Sequence, residues 1–266
     1  MQLAILRVTV FLPWCFTIPV PPDTDHKGWD FVKDYFHQFF LTKKESQLET
    51  QTQLLQQFHQ NGTGLLDMQM HAMLYQPRCG VPDGSNTSIL PGRCKWDKYT
   101  LTYRIINYPH DMKPSTVKDS IYNAVSIWSS VTSLIFQQVQ NEDADIKISF
   151  WQWDHDDCWP FDGPGGFLGH AFLPNSENPG VVHFDKDEHW SASNTGFNLF
   201  LVATHEIGHS LGLKHSGNRN SIMYPTYWYH DPRTFHLSAD DIQRIQGLYG
   251  LCCSRKRKGI WAGNSN

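Results

Sequence analysis

Apolar positions along the chain fall into a few distinct rhythms. After Arg7, residues Val8 to Phe16 form one apolar run. It is shorter than the roughly 20 residues needed to span a bilayer and reads as an export signal over 1–17, with cleavage near Ile18. Phe31, Tyr35 and Phe39, then Leu54, Leu55 and Phe58, recur at helical steps, which predicts a small helical unit within 18–89. Pro77 to Pro91 is rich in Pro, Gly, Ser, Asn and Asp and reads as a linker to a second unit over 90–250. There a strand is predicted over Thr100–Tyr108. A helix is expected from Pro114, with Val117, Ile121, Val125 and Trp128 on one face. Further strands are expected at Ala144–Trp151 and Val181–Phe184, separated by a long loop rich in Gly, Pro, Asp and His. A helix follows over Leu199–Leu213, and Ser238 with Asp241 three residues on starts a last helix to Tyr249. Strands mixed with a few long helices give an α/β or α+β domain. Residues 251–266, with the basic run Arg255-Lys256-Arg257-Lys258, read as a flexible tail.

Composition narrows the class. With 266 residues, 40% apolar and 18% charged, the chain can bury a sizeable core. A net charge of -4 gives no reason to expect a nucleic-acid surface. Cys15 would leave with the signal, so Cys79, Cys94, Cys158, Cys252 and Cys253 remain. That odd number suggests a thiol with work other than a disulfide. Asn61 and Asn86 open Asn-x-Ser/Thr sequons and are candidate glycan sites.

Among 14 histidines, spacing decides which matter. His205-Glu206-Ile207-Gly208-His209 places two imidazoles four residues apart, on one helix face. Gly212 permits a sharp turn that can bring His215 round as a third nitrogen ligand. With Gly212 and His215 added, chance occurrence falls to on the order of one in ten thousand such chains. Three protein ligands leave a fourth tetrahedral position for water, the arrangement of a catalytic zinc. Glu206 is not needed as a ligand and is placed to take the proton of an attacking water. Met223, in the turn-prone stretch Ser221–Pro225 after the third histidine, completes the pattern of a Met-turn. A silent binding protein would have no need of Glu206, so an enzyme is the expected reading.

On these motifs the sequence resembles the matrix metalloproteinase family of metzincins. The resemblance implies an α+β, zincin-like catalytic domain: a twisted, mostly parallel sheet with three helices, preceded by the small helical pro-domain. It also implies a secreted, latent zymogen that hydrolyses extracellular-matrix and related proteins. Pro77-Arg78-Cys79-Gly80-Val81-Pro82-Asp83 matches the family's cysteine switch, so Cys79 would bind zinc in the latent form. By the same resemblance His155, Asp157, His170 and His183 would hold a structural zinc. Calcium would sit among Asp162, Asp185 and Glu188 with the carbonyls of Gly163, Gly165 and Phe167. Leu201, Pro225 and Tyr227 would line an open apolar pocket for Leu-like side chains. Tissue inhibitors of metalloproteinases are implied as partners and a monomer as the working state. No hemopexin-like domain and no membrane span are expected. Glu177, Pro179 and Val181 depart from the family's second calcium site, and Lys186 from a further one.

Overall fold

A computed structural model describes residues 76–83 and 94–251. The export signal, the helical pro-region, Asn61, Asn86 and the basic tail lie outside the described residues.

Six strands form one sheet: β1 (Arg78–Cys79), β2 (Thr100–Ile105), β3 (Ile135–Gln138), β4 (Ile146–Trp151), β5 (Phe167–Ala171) and β6 (Val181–Asp185). Their spatial order is β1-β5-β6-β4-β2-β3. All neighbours run parallel except β5 and β6, which are antiparallel. β7 (Trp190–Ser191) and β8 (Phe197–Asn198) make a separate short pair. The helices among the described residues are α1 (Pro114–Val131), α2 (Leu199–Ser210) and α3 (Ala239–Tyr249). The mostly parallel sheet with three helices is the expected fold.

Alternation explains the strands. In β2, Leu101, Tyr103 and Ile105 point inward, and in β4 Ile146, Ile148 and Phe150 meet the same core. Proline at N1 starts α1, whose buried stripe of Val117, Ile121, Ala124, Val125 and Trp128 faces α2. The Trp128 indole N–H donates to the Thr204 carbonyl at 2.9 Å, which fixes α1 against the helix that carries the histidines. α2 is buried nearly all round, so packing rather than amphipathicity holds it. Asn198 caps its start by accepting from the Leu201 N–H at 3.3 Å. α3 begins with a full capping box, Ser238 and Asp241, at the expected place.

The differences from expectation have physical causes. α2 ends at Ser210 rather than Leu213, because Gly212 turns the chain at φ +104°. A methyl group at Gly212 would lie 1.8 Å from the Cys94 carbonyl oxygen. Gly212→Ala is therefore expected to cost at least about 1–2 kcal/mol from backbone conformation alone, read as a lower denaturant midpoint. β2 stops at Ile105, four residues before Pro109, rather than at Tyr108. β3 is an exposed edge strand with no alternation, and β5 hides in a Gly-rich stretch, so neither was legible. Within the expected linker, Arg78 and Cys79 instead form β1, which pairs with β5 and makes one edge of the sheet.

Candidate active site

Helix α2 presents His205, Glu206 and His209 from one buried turn, and the turn at Gly212 brings His215 to meet them. The ligand atoms of Cys79, His205, His209 and His215 all lie within 4.8 Å of one another. His205 Nε2 is 3.1 Å from His209 Nε2, and Cys79 Sγ is 3.5 Å from the same nitrogen. Ligands about 2.0–2.3 Å from a tetrahedral zinc stand roughly 3.3–3.7 Å apart, so these separations suit one ion. His215 Nε2 is buried without a hydrogen-bond partner, which a metal would supply.

Each ring is held by its other nitrogen. His205 Nδ1 donates to the Ile222 carbonyl at 2.6 Å, and His209 Nδ1 to the Leu213 carbonyl at 2.7 Å. His215 Nδ1 is 2.6 Å from Asp83 Oδ1. These contacts turn all three Nε2 atoms toward the common point. Burial keeps the rings neutral: it pushes His205 down to about 3, and lowers His209 and His215 as well. Neutral imidazoles are the metal-binding form. Burial, followed by the neighbouring Glu206, pushes the Cys79 thiol well up, so the sulfur ionises there only against a cation.

Glu206 is fully buried beside this cluster, and neither carboxylate oxygen has a hydrogen-bond partner. Burial pushes its pKa up to about 8, and the Cys79 thiol offsets only part of that. A carboxylate so placed is suited to exchanging a proton near neutral pH. Met223 is buried beneath the site, so close to α2 that a Cβ on Gly208 would lie 2.4 Å from its sulfur.

The segment Pro77–Gly80, expected to be the switch, runs between β5 and the wall formed by Pro225 to Tyr227. The Arg78 and Gly80 N–H groups donate to Gly166 and Gly169 carbonyls, both at 2.8 Å. On the other side the Cys79 N–H donates to the Pro225 carbonyl at 2.9 Å, and Tyr227 N–H to Pro77 at 2.8 Å. Arg78 and Asp83 form a buried ion pair at 2.6 Å. Despite burial, Arg78 and His215 hold the Asp83 carboxyl well below its usual range. Leu201, Pro225 and Tyr227 meet in one cavity that also touches Cys79, His205 and Glu206.

A second cluster joins His155 and Asp157, in the loop between β4 and β5, to His170 on β5 and His183 on β6. Asp157 Oδ2 is 3.0 Å from His155 Nε2, 2.7 Å from His170 Nε2 and 2.8 Å from His183 Nδ1. Burial lowers His170 to about 4 and lowers His183; for His155, Asp157 and the Trp153 carbonyl outweigh burial and raise it. One carboxylate oxygen facing three ring nitrogens fits a closed, four-ligand metal set.

Asp162, Asp185 and Glu188 also converge. Burial is the main cause in each case: it raises Asp162 to about 7 with help from the Asp185 charge, Asp185 to about 6 with help from Asp187, and Glu188 to about 8 with help from Asp185, Asp162 and Asp187. Asp185 Oδ2 is buried without a hydrogen-bond partner. The intervening loop turns through positive φ at Gly163, Gly165 and Gly166, and its N–H groups at Gly165 and Phe167 donate to Glu188 and Asp162. Such a crowd of buried carboxylates suits a hard cation. By contrast, Asp145 is engaged by Lys98 at 2.6 Å and by Thr102, and Asp111 by the Trp190 N–H and by His189.

Sequence reasoning missed the partners that aim the rings. Two are backbone carbonyls, which carry no side-chain signal, and Asp83 was visible only as part of a motif.

Comparison with known proteins agrees with this geometry. The family model described as Matrixin matches residues 95–250. Matrix metalloproteinase-26 of Homo sapiens is 84% identical over 257 residues, covering 96% of this chain and 98% of that protein. Matrilysin of Homo sapiens is 39% identical over 267 residues, covering 97% and 100%. Macrophage metalloelastase of Oryctolagus cuniculus is 47% identical over 232 residues, which are 83% of this chain and 50% of that one. The chain belongs to the matrixin family of zinc-dependent metalloendopeptidases.

Proposed function

We propose that the chain is a secreted endopeptidase, made as a latent zymogen, that cuts extracellular-matrix and related proteins with Glu206 as general base. The observation that carries this is the unpartnered, buried Glu206 carboxylate beside three neutral imidazoles that share one focal point. His205, His209 and His215 would hold the catalytic zinc, and Cys79 would be its fourth ligand in the latent form. When bound, that zinc supplies Lewis acidity, polarising the peptide carbonyl and making water easier to ionise. The residues do the rest. Glu206 takes the water's proton and passes it to the departing amine. The substrate takes the place of the switch segment, an extended strand between β5 and the Pro225–Tyr227 wall, where both sides offer backbone hydrogen bonds.

Latency follows from the same contacts. With residues 77–80 in the cleft, neither substrate nor water reaches Glu206. Removal of the pro-region, 18–89, would free the catalytic domain, 90–250. The expected export signal over 1–17 supports secretion, and no helix of the described residues is long and apolar enough to cross a membrane. The family resemblance supports tissue inhibitors of metalloproteinases as partners, and a monomer as the acting unit. His155, Asp157, His170 and His183 would hold the structural zinc. Asp162, Asp185 and Glu188, with the carbonyls of Gly163, Gly165 and Phe167, would hold calcium.

Cleavage of a peptide library after release of the pro-region tests the activity. Cuts before Leu-like residues are expected, because Leu201, Pro225 and Tyr227 give the cavity uncharged walls, and Arg219, which also lines it, is engaged by the Tyr224 hydroxyl. A preference for charged residues there would reject the pocket assignment.

The calcium assignment has a pH signature. Asp162, Asp185 and Glu188 have raised folded-state pKa values, so without a cation the folded state binds more protons than the unfolded one. Stability of the calcium-free protein should fall as pH rises from about 4, the unfolded range of carboxyls, through about 8. Calcium should restore it, most at the alkaline end. Melting temperatures with calcium and with a calcium-selective chelator, between pH 5 and pH 8, check this. A calcium effect that shrinks with rising pH would count against the site.

A further inference from the structure

The segment that carries His215 leaves α2 at Gly212 and belongs to no strand or helix. Something outside it must therefore fix where its imidazole stands. On the ring side Asp83 does so, at 2.6 Å from Nδ1. That carboxylate belongs to the switch segment and departs with it.

On the backbone side the grip comes from α3. Arg244 Nη2 donates to the carbonyl of Lys214 at 2.6 Å and to that of His215 at 3.3 Å. Its Nη1 stands 3.7 Å from Asp240 Oδ2, one turn earlier on the helix. Asp240 in turn accepts from the Ser216 hydroxyl at 2.7 Å. Residues 214, 215 and 216 are thus each tied to one turn of α3. The helix itself is firmly seated: Ile245 and Tyr249 are buried, and Asp241 accepts from the Ile222 N–H at 3.0 Å. The Ile222 carbonyl is the group that orients His205. A planar guanidinium can bond two successive carbonyls from one nitrogen while keeping its charge toward Asp240, whereas an ammonium on a flexible stem holds no such fixed shape.

We propose that Arg244 is a positioning residue for the metal centre. It holds the backbone of the His215 segment against α3, so that the third imidazole keeps its place once Asp83 has left with the switch. This role presupposes that His205, His209 and His215 bind the ion.

The test uses the full-length zinc-loaded chain, comparing the parent with Arg244→Met, Arg244→Lys, Asp83→Asn and the Arg244→Met/Asp83→Asn pair. Zinc content of the parent is measured first. If it held no zinc at the three histidines, the ligand reading would fail, and with it the reason for Arg244's role. Release of the catalytic zinc to a chromogenic chelator is then followed, alongside melting temperature and the visible spectrum of the cobalt-substituted protein. Loss of an outer partner of a metal ligand weakens binding by about 10–100-fold, so Arg244→Met should release zinc faster by that order and alter the cobalt spectrum. The double variant should exceed the product of the two single effects, because both side chains hold one ligand. Arg244→Lys should fall between Met and the parent. Zinc release by the Arg244→Met/Asp83→Asn pair within about twofold of Asp83→Asn alone, even with a lower melting temperature, would overturn the role and leave Arg244 as a helix-docking residue. Should Arg244→Met fail to fold, Arg244→Lys decides: faster release at the parent's melting temperature supports the role, and parental release refutes it.

Discussion

Glu206→Gln should fold, keep its zinc and lose peptide-bond cleavage by several orders of magnitude. General base catalysis alone is worth about 10²–10⁴-fold, and in the proposed mechanism the same carboxylate also protonates the leaving amine. The amide is nearly isosteric, and the one group facing the Glu206 carboxylate, the Cys79 thiol, can face the amide oxygen equally well. Replacing a buried acid by a neutral group should leave stability unchanged or slightly raised. The effect should therefore appear in turnover, with melting temperature and zinc content as controls. Near-parental turnover would remove Glu206 from the reaction.

Cys79→Ser should give a precursor that cleaves peptides without removal of its pro-region. A hydroxyl is a poor substitute for a soft thiolate on zinc. The serine can still accept from the Val81 N–H, as the sulfur does at 3.3 Å. The segment also keeps the Arg78–Asp83 ion pair and its backbone bonds to β5 and Pro225. Latency should therefore weaken rather than vanish, with precursor activity rising by about tenfold or more, equivalent to about 1.4 kcal/mol of self-inhibition. A precursor as silent as the parent would show that the remaining contacts block the cleft unaided.

The parts of this site that a sequence can show are those written in side chains at fixed helical or turn spacing. His205 and His209 share a face because they are four apart, and Gly212 marks the exit that lets His215 return; all three fall where the spacing put them. The four residues of the second cluster are scattered over a loop and two strands, so only family resemblance could group them. Strand β5, against which the switch lies, was invisible because Gly169 interrupts its apolar pattern. That glycine is required, since a Cβ there would lie 2.9 Å from the His183 carbonyl oxygen. The ring-orienting carbonyls of Ile222 and Leu213 and the grip of Arg244 depend on how the chain folds back on itself. Such contacts carry no local signal.

The central claim is that three imidazoles hold one ion whose remaining place is taken, in the latent chain, by the Cys79 sulfur. Cobalt substituted into the full-length protein reports this directly through its thiolate-to-metal charge-transfer absorption. The band is expected in the parent and absent in Cys79→Ser, with the ion retained by both. A parent that binds cobalt at the three histidines without that band would contradict a sulfur-closed site, and one that binds none there would contradict the site itself.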